Sequence, residues 1–116
     1  MTNLDKQKCV PCEGGTKPFI PREFAPYLSQ VGDWEVVKDK KIEKLFKFKN
    51  FAKALEFVNM VGEIAEQEQH HPNIYMFGWS KVKITLMTHA IKGLSVNDFI
   101  LATKINKIEG INISGS

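Results

Sequence analysis

The apolar residues of this chain follow two rhythms, one typical of strands and one typical of helices. Apolar and polar residues alternate in three short segments, and an aromatic-rich stretch over 73–79 is typical of a strand or a broad loop. Apolar residues recur every three or four positions in the segments around them. This order predicts a helix, a hairpin, a long helix, a second hairpin and a final helix. The predicted elements are a helix from Pro21 to Gly32, strands over 34–39 and 42–48, a helix from Asn50 to Pro72, strands over 73–79 and 81–88, and a helix that opens at Ser95.

This order of elements is typical of an α+β fold, in which helices cover one face of an antiparallel sheet. We predict a four-stranded antiparallel sheet with about three helices packed on one face. The length of 116 residues corresponds to about one domain. Residues 1–20 are polar and punctuated by Gly and Pro, so they are predicted to form a flexible arm before a single domain over 21–110 and a frayed tail over 111–116.

Charge and hydropathy exclude several kinds of partner. The net charge is +3, and the lysines are scattered between acidic residues, a pattern more typical of a solvated surface than of a nucleic-acid site. No apolar run approaches the roughly 20 residues that span a membrane, and the polar start lacks the apolar segment of a secretory signal. We expect a cytoplasmic protein that binds neither nucleic acid nor membrane. The sheet leaves a face or an edge uncovered, so a homodimer or homotetramer is expected.

The two cysteines lie together as Cys9-Val-Pro-Cys12. A redox motif of this spacing opens a helix, but Gly14-Gly15 and Pro18 follow here. A structural zinc site needs four ligands, and this motif supplies two. An ordinary arm is therefore favoured, with a metal site shared with other residues and a redox pair as the alternatives.

The chemistry-bearing residues concentrate between the end of the long helix and the end of the last strand. All three histidines are there, as His70, His71 and His89, and imidazole is the side chain best suited to exchange protons near neutral pH. Glu66 precedes His70 by four residues and could orient it as a helical neighbour. Glutamates near the helix end oppose the helix dipole, and a broken local rule beside histidines indicates a site.

Other interpretations of these residues, most of them purely structural, compete with a proton-transfer site. Each histidine, taken singly, is more often a helix-end or loop residue than a functional one. Three histidines could also hold zinc, but the adjacent His70 and His71 are expected to point in different directions, so no metal is predicted. Ser95-x-x-Asp98 is a capping-box variant, and Asp98 could line a site as well. Three aromatic residues could stack on a flat ring or belong to the sheet core; they are Tyr75, Phe77 and Trp79.

Over Trp34–Ile108 the sequence resembles the pterin-4a-carbinolamine dehydratases. The matching residues are His70-His71-Pro72, Trp79-x-x-Val82-x-Ile84-x-Leu86-x-Thr88-His89 and Gly93-Leu94-Ser95-x-x-Asp98. The resemblance implies a lyase that removes water from 4a-hydroxytetrahydropterin and returns quinonoid dihydropterin for recycling after aromatic amino-acid hydroxylation. A functional link to an aromatic amino-acid hydroxylase follows from it. Dehydration needs an acid and a base but no redox cofactor, so no cofactor is expected.

The resemblance also implies the site residues. His70, His71, His89 and Asp98 match the catalytic positions, with His70 and His89 as proton-transfer groups and His71 as a binder. The expected substrate-binding residues are these histidines together with Glu66, Gln69, Trp79, Met87, Thr88 and Ala90.

Two other functions stay open. Some relatives are binding modules that stabilise the dimer of a transcription factor, and the exposed part of the helix from Asn50 or a sheet edge would serve that role here. A pterin-binding accessory protein without turnover is the other alternative.

Overall fold

The structure is a computed structural model that describes residues 4–9 and 17–108. Over these residues the chain forms three α-helices and one four-stranded antiparallel sheet. In chain order the elements are α1 (Pro21–Val31), β1 (Glu35–Val37), β2 (Lys41–Lys47), α2 (Phe51–Glu68), β3 (Asn73–Phe77), β4 (Lys81–Leu86) and α3 (Val96–Ile108). The predicted α+β fold is confirmed.

The sheet has the strand order β1-β2-β4-β3, so the two central strands come from different hairpins. Phe46 lies opposite Val82, and Ile42 lies opposite Leu86. Because successive side chains of a strand point to opposite faces, these residues share the inner face, which is buried, while Leu45 is exposed on the outer face. The helices therefore cover one face, as predicted.

Aromatic packing attaches α2 to the inner face of the sheet. The ring of Phe57 lies 4.7 Å from that of Phe46 and 4.9 Å from that of Phe48, measured between centroids. Phe57 is completely buried, and burial of such a side chain stabilises the fold by roughly 1.5–3 kcal/mol. This contact fixes α2 along its length and thereby sets where its C-terminal end lies.

The two ends of α2 follow different rules. At its start the Asn50 side chain accepts a hydrogen bond from the Lys53 N–H at 2.9 Å, so the predicted cap is confirmed. At its end Gln69 adopts the left-handed conformation, and the His70 N–H bonds to the Ala65 carbonyl at 3.2 Å. The helix thus ends at Glu68 rather than at Pro72, because this turn stops it before the proline does.

Part of the predicted N-terminal arm is packed against the domain. Residues 4–6 form a single 3₁₀ turn that lies against α3, and Leu4 is buried in the core. The division into arm, domain and tail stays a prediction, since Cys12 and the tail 111–116 lie outside the described residues. No helix among the described residues is long and apolar enough to cross a membrane.

Candidate active site

A buried histidine–carboxylate pair joins the end of α2 to the start of α3. His70 Nε2 lies 2.7 Å from Asp98 Oδ1. Asp98 is completely buried, and His70 is almost so. A carboxylate accepts hydrogen bonds, so Nε2–H of His70 donates to it in the neutral tautomer. Nδ1 is then the ring nitrogen with a lone pair for proton exchange.

Asp98 is held in place by hydrogen bonds on its other oxygen. Its Oδ2 accepts from the Thr88 hydroxyl at 2.8 Å and from the Ser95 N–H at 3.0 Å. Thr88 Oγ1 and Ser95 Oγ lie 2.8 Å apart, and since the Thr88 proton goes to Asp98, Ser95 donates this bond. The Ser95 hydroxyl oxygen in turn accepts from the Asn97 N–H at 3.2 Å. The predicted capping box is confirmed, and the capping carboxylate is also the partner of His70.

The loop after β4 positions Thr88 and His89. Thr88 N–H donates to the Gly93 carbonyl at 2.8 Å, which closes a short loop containing a 3₁₀ turn over His89–Ile91. Gly93 is required there, because a Cβ at this position would lie 2.5 Å from Pro18 Cβ. Within this loop Thr88 points inward to Asp98, whereas His89 and Ala90 are exposed.

A second histidine–carboxylate pair lies on the surface beside the first. His71 Nε2 is 2.5 Å from Glu66 Oε2, and both side chains are largely exposed. The expected pairing of Glu66 with His70 is therefore wrong. Its reason is local: the chain leaves helical geometry at Gln69, so the four-residue spacing that brings helical neighbours together does not apply. The adjacent histidines do point to different partners, as predicted.

The other predicted site residues fall into two groups. Gln69 is exposed at the end of α2, where its side-chain amide donates to the Glu66 carbonyl at 2.9 Å, and half-buried Met87 precedes Thr88. Trp79 is instead exposed in the turn between β3 and β4. That turn is at the other end of β4, roughly 20 Å from Thr88 at about 3.3 Å per residue. The structure does not bring Trp79 to the other residues, and its binding role stays a prediction.

Tyr75 and Phe77, the other two aromatic candidates, lie in strand β3. Tyr75 and Phe77 stack with ring centroids 4.9 Å apart. Tyr75 pairs with Lys83, which places both aromatic side chains on the outer face of the sheet. Tyr75 is exposed, so it does not belong to the sheet core.

Sequence reasoning missed Glu68, a buried carboxylate two residues before His70. Its Oε1 accepts from the Cys9 N–H at 2.8 Å, and its Oε2 lies 3.6 Å from Lys104 Nζ and 3.9 Å from Lys8 Nζ. Burial raises the pKa of Glu68, but the Cys9 N–H and the two lysines outweigh burial and hold that pKa below its ordinary value. The available signal was the cluster of acids at the end of α2, where the helix dipole disfavours them.

Within residues 4–9 and 17–108, no three histidine, cysteine, aspartate or glutamate side chains are grouped closely enough to hold a metal ion. Among the described residues, His70 is paired with a buried carboxylate, and His89 is exposed one residue after Thr88.

Comparison with known proteins gives this arrangement a context. The family model described as pterin 4 alpha carbinolamine dehydratase matches residues 17–108. A protein of Alkaliphilus metalliredigens, provisionally named pterin-4-alpha-carbinolamine dehydratase, is 48% identical over 108 residues, which cover 92% of this chain and 96% of that protein.

Solved structures agree in fold. A transcriptional coactivator/pterin dehydratase from Brucella melitensis is 30% identical, with a TM-score of 0.74 over 79% of this chain and 98% of its own. A pterin dehydratase-like protein identified as a RuBisCO assembly factor in the alpha-carboxysome is 26% identical, with a TM-score of 0.58 over 68% of this chain and 92% of its own.

Proposed function

Because this chain belongs to the pterin 4 alpha carbinolamine dehydratase family, we propose that it removes water from 4a-hydroxytetrahydropterin and releases quinonoid dihydropterin. The observation that carries the proposal is the buried His70–Asp98 pair. The pair holds the His70 imidazole in a fixed orientation. Its carboxylate also accepts from Thr88, the residue before the exposed imidazole of His89.

The reaction requires two proton transfers. The bond from carbon to the hydroxyl group breaks, and an acid supplies the proton with which that group leaves as water. A base removes the proton from the neighbouring ring nitrogen, whose electron pair forms the new double bond. No hydride moves and no electron is lost, so side-chain acids and bases suffice.

His70 is suited to the base role. With Nε2–H donating to Asp98, the lone pair on Nδ1 is the acceptor, and the carboxylate stabilises the positive charge that develops on the ring. Because Thr88 and Ser95 fix the other carboxylate oxygen, the ring has a defined orientation before substrate binds. Such preorganisation is the main physical advantage of a buried catalytic pair.

His89 is suited to the acid role. It follows Thr88, which donates to Asp98, so the loop that fixes the carboxylate also carries the second imidazole. Its side chain is exposed and can exchange its proton with solvent between turnovers. The exposed Ala90 lies beside it in the loop.

Binding of the pterin is assigned to the residues around this pair. His71, paired with Glu66 on the surface, presents polar groups to a flat heterocycle with many donors and acceptors. Gln69 and Met87 extend that surface on the α2 side and the β4 side. In this proposal the quinonoid dihydropterin product is reduced by a separate enzyme to the tetrahydropterin that an aromatic amino-acid hydroxylase uses.

The test is the decay of freshly generated 4a-hydroxytetrahydropterin, followed by ultraviolet absorbance. Wild-type protein is expected to accelerate the decay, and His89→Ala is expected to lose roughly 10²–10⁴-fold of that acceleration, the usual contribution of a general acid. Failure of the folded wild-type protein to accelerate the decay would overturn the proposal.

A second candidate function is protein binding. Phe51 and Leu55 are exposed on α2, and Ile74 and Tyr75 are exposed on the edge strand β3. Such apolar side chains support self-association as a homodimer or homotetramer, or docking of another protein. The two functions separate cleanly, because replacing both His70 and His89 would abolish dehydration but leave an interaction through these residues intact.

A further inference from the structure

Cys9 forms hydrogen bonds with two residues that lie close in sequence to the two members of the His70–Asp98 pair. On the α2 side its N–H donates to Glu68 at 2.8 Å, and on the α3 side its thiol donates to the Asn97 carbonyl at 3.5 Å. Glu68 is two residues before His70, and Asn97 is the residue before Asp98. The N-terminal segment, residues 4–9, therefore contacts the end of α2, close to His70, and the start of α3, which contains Asp98.

Glu68 is the centre of these contacts. Its carboxylate, on the last residue of α2, is buried and interacts with two other parts of the chain, the N-terminal segment and Lys104 of α3. Lys8 adds a hydrogen bond to the Gln67 carbonyl at 3.4 Å and a longer contact to Glu68. A buried carboxylate that lost these partners would cost several kcal/mol, so the segment and the helix end are held together.

Resting on the proposed dehydration, we propose that Glu68 is a positioning residue, which ties the N-terminal segment and α3 to the end of α2 and thereby sets His70 against Asp98. His70 lies just after the left-handed turn at Gln69, and its N–H bonds back to the Ala65 carbonyl at 3.2 Å, so its position follows that of the end of α2. A displacement of this turn by about 1 Å would misalign the proton transfer. Glu68 does not touch the substrate and acts through His70.

Cys9 offers a direct readout of this contact. Burial and, after it, the nearby carboxylates of Glu68 and Asp98 together raise the pKa of the Cys9 thiol to about 12. A thiol held in this state reacts slowly with alkylating reagents, because the thiolate is the reactive form. Release of the segment removes both causes, so the alkylation rate measures docking independently of catalysis.

The experiment compares Glu68→Ala and Glu68→Gln with Glu63→Gln, which makes the same charge change at an exposed position of α2. All proteins carry Cys12→Ser so that Cys9 is the single thiol. Three experiments are made on each protein: the rate at which iodoacetamide alkylates Cys9, steady-state kinetics that give kcat and KM for dehydration, and the ¹⁵N resonances of the His70 ring.

In Glu68→Ala we expect Cys9 to react at least about tenfold faster. We also expect kcat to fall about tenfold with KM changed less than about threefold, because proton transfer rather than binding is impaired. The His70 resonances should shift. Glu68→Gln retains an oxygen that accepts the Cys9 N–H and should restore most of kcat. Lys8→Ala changes an exposed side chain and spares the fold; it should raise the Cys9 rate and lower kcat by about two- to threefold each. Glu63→Gln should match wild type in all measurements.

Two results would overturn the proposal: a freed Cys9 with unchanged His70 resonances, or an unchanged Cys9 rate in Glu68→Ala. Should wild-type protein prove inactive, the dehydratase proposal fails on its own. The thiol and the His70 resonances would then still decide whether Glu68 positions the pair.

Discussion

His70 and His71 are neighbours in the sequence, and each forms a hydrogen bond with a carboxylate, but one pair is buried and the other is exposed to solvent. The side chains of His70 and Asp98 are 11% and 0% exposed, whereas those of His71 and Glu66 are 57% and 74% exposed. A buried pair is screened little by water and has a fixed orientation, while an exposed pair contributes only about 0–1 kcal/mol. Under the proposed function this difference assigns proton transfer to the buried pair and substrate contact to the exposed pair.

Asp98→Asn tests the buried pair by replacing its carboxylate with an amide. An amide cannot accept from His70 on one atom and from both Thr88 and Ser95 on the other, because one of its two atoms is a donor. We expect kcat to fall at least about tenfold through loss of ring orientation. We also expect the free energy of unfolding to fall by about 1–3 kcal/mol, the usual cost of an unpaired buried group.

Thermal denaturation and steady-state kinetics check both effects. Asp39→Asn is the matched control, since Asp39 is exposed in the turn after β1 and has a positive φ that Asn tolerates. If Asp98→Asn kept the kcat of the wild-type protein, the Asp98 carboxylate would have no role in the reaction.

Glu66→Gln tests the exposed pair from its carboxylate side. The change removes the charged partner of His71, but leaves the buried pair untouched. We expect KM to rise by about two- to fivefold with kcat within about twofold of wild type, since loss of uniform binding raises KM alone. Initial rates over a range of pterin concentrations separate the two constants. A loss in kcat equal to that of Asp98→Asn would erase the distinction between the pairs.

Glu68 gives a smaller, pH-dependent effect. Its pKa is held below its ordinary value of 4.5, so at moderately acidic pH the unfolded chain binds this proton more readily than the folded protein does. Its stabilisation is therefore present above pH 4.5 and is lost as the pH falls through the lower folded pKa. Urea denaturation between about pH 3 and 6 should give a flatter stability curve for Glu68→Gln than for wild type. Glu63→Gln should keep the wild-type slope; a flattening in that control as well would assign the effect to overall charge.

The elements of the fold, unlike the pairings in the site, could be predicted from local patterns. The cap at Asn50 and the capping box at Ser95 depend on residues within one helical turn, and both are confirmed. The pairing of His70 with Asp98 spans 28 residues and depends on how α2 and α3 meet. Periodicity carries no information about that distance.

One local error also propagated into the site. A helix that continued to Pro72 would place Glu66 and His70 one turn apart on the same face. Because the chain leaves the helix at Gln69, Glu66 instead forms a hydrogen bond with His71. Helix ends are poorly determined by local sequence patterns, but here the error exchanges the partner of a candidate catalytic histidine. The burial of Glu68 depends on the N-terminal segment and on Lys104, which no pattern within α2 reveals.

The most direct test of the account compares His70→Ala with His71→Ala in single-turnover dehydration of 4a-hydroxytetrahydropterin. If the buried pair performs the proton transfer, His70→Ala loses about 10²–10⁴-fold in rate and His71→Ala loses less than about threefold at saturating substrate. Equal losses, or a larger loss in His71→Ala with both variants folded, would contradict the account.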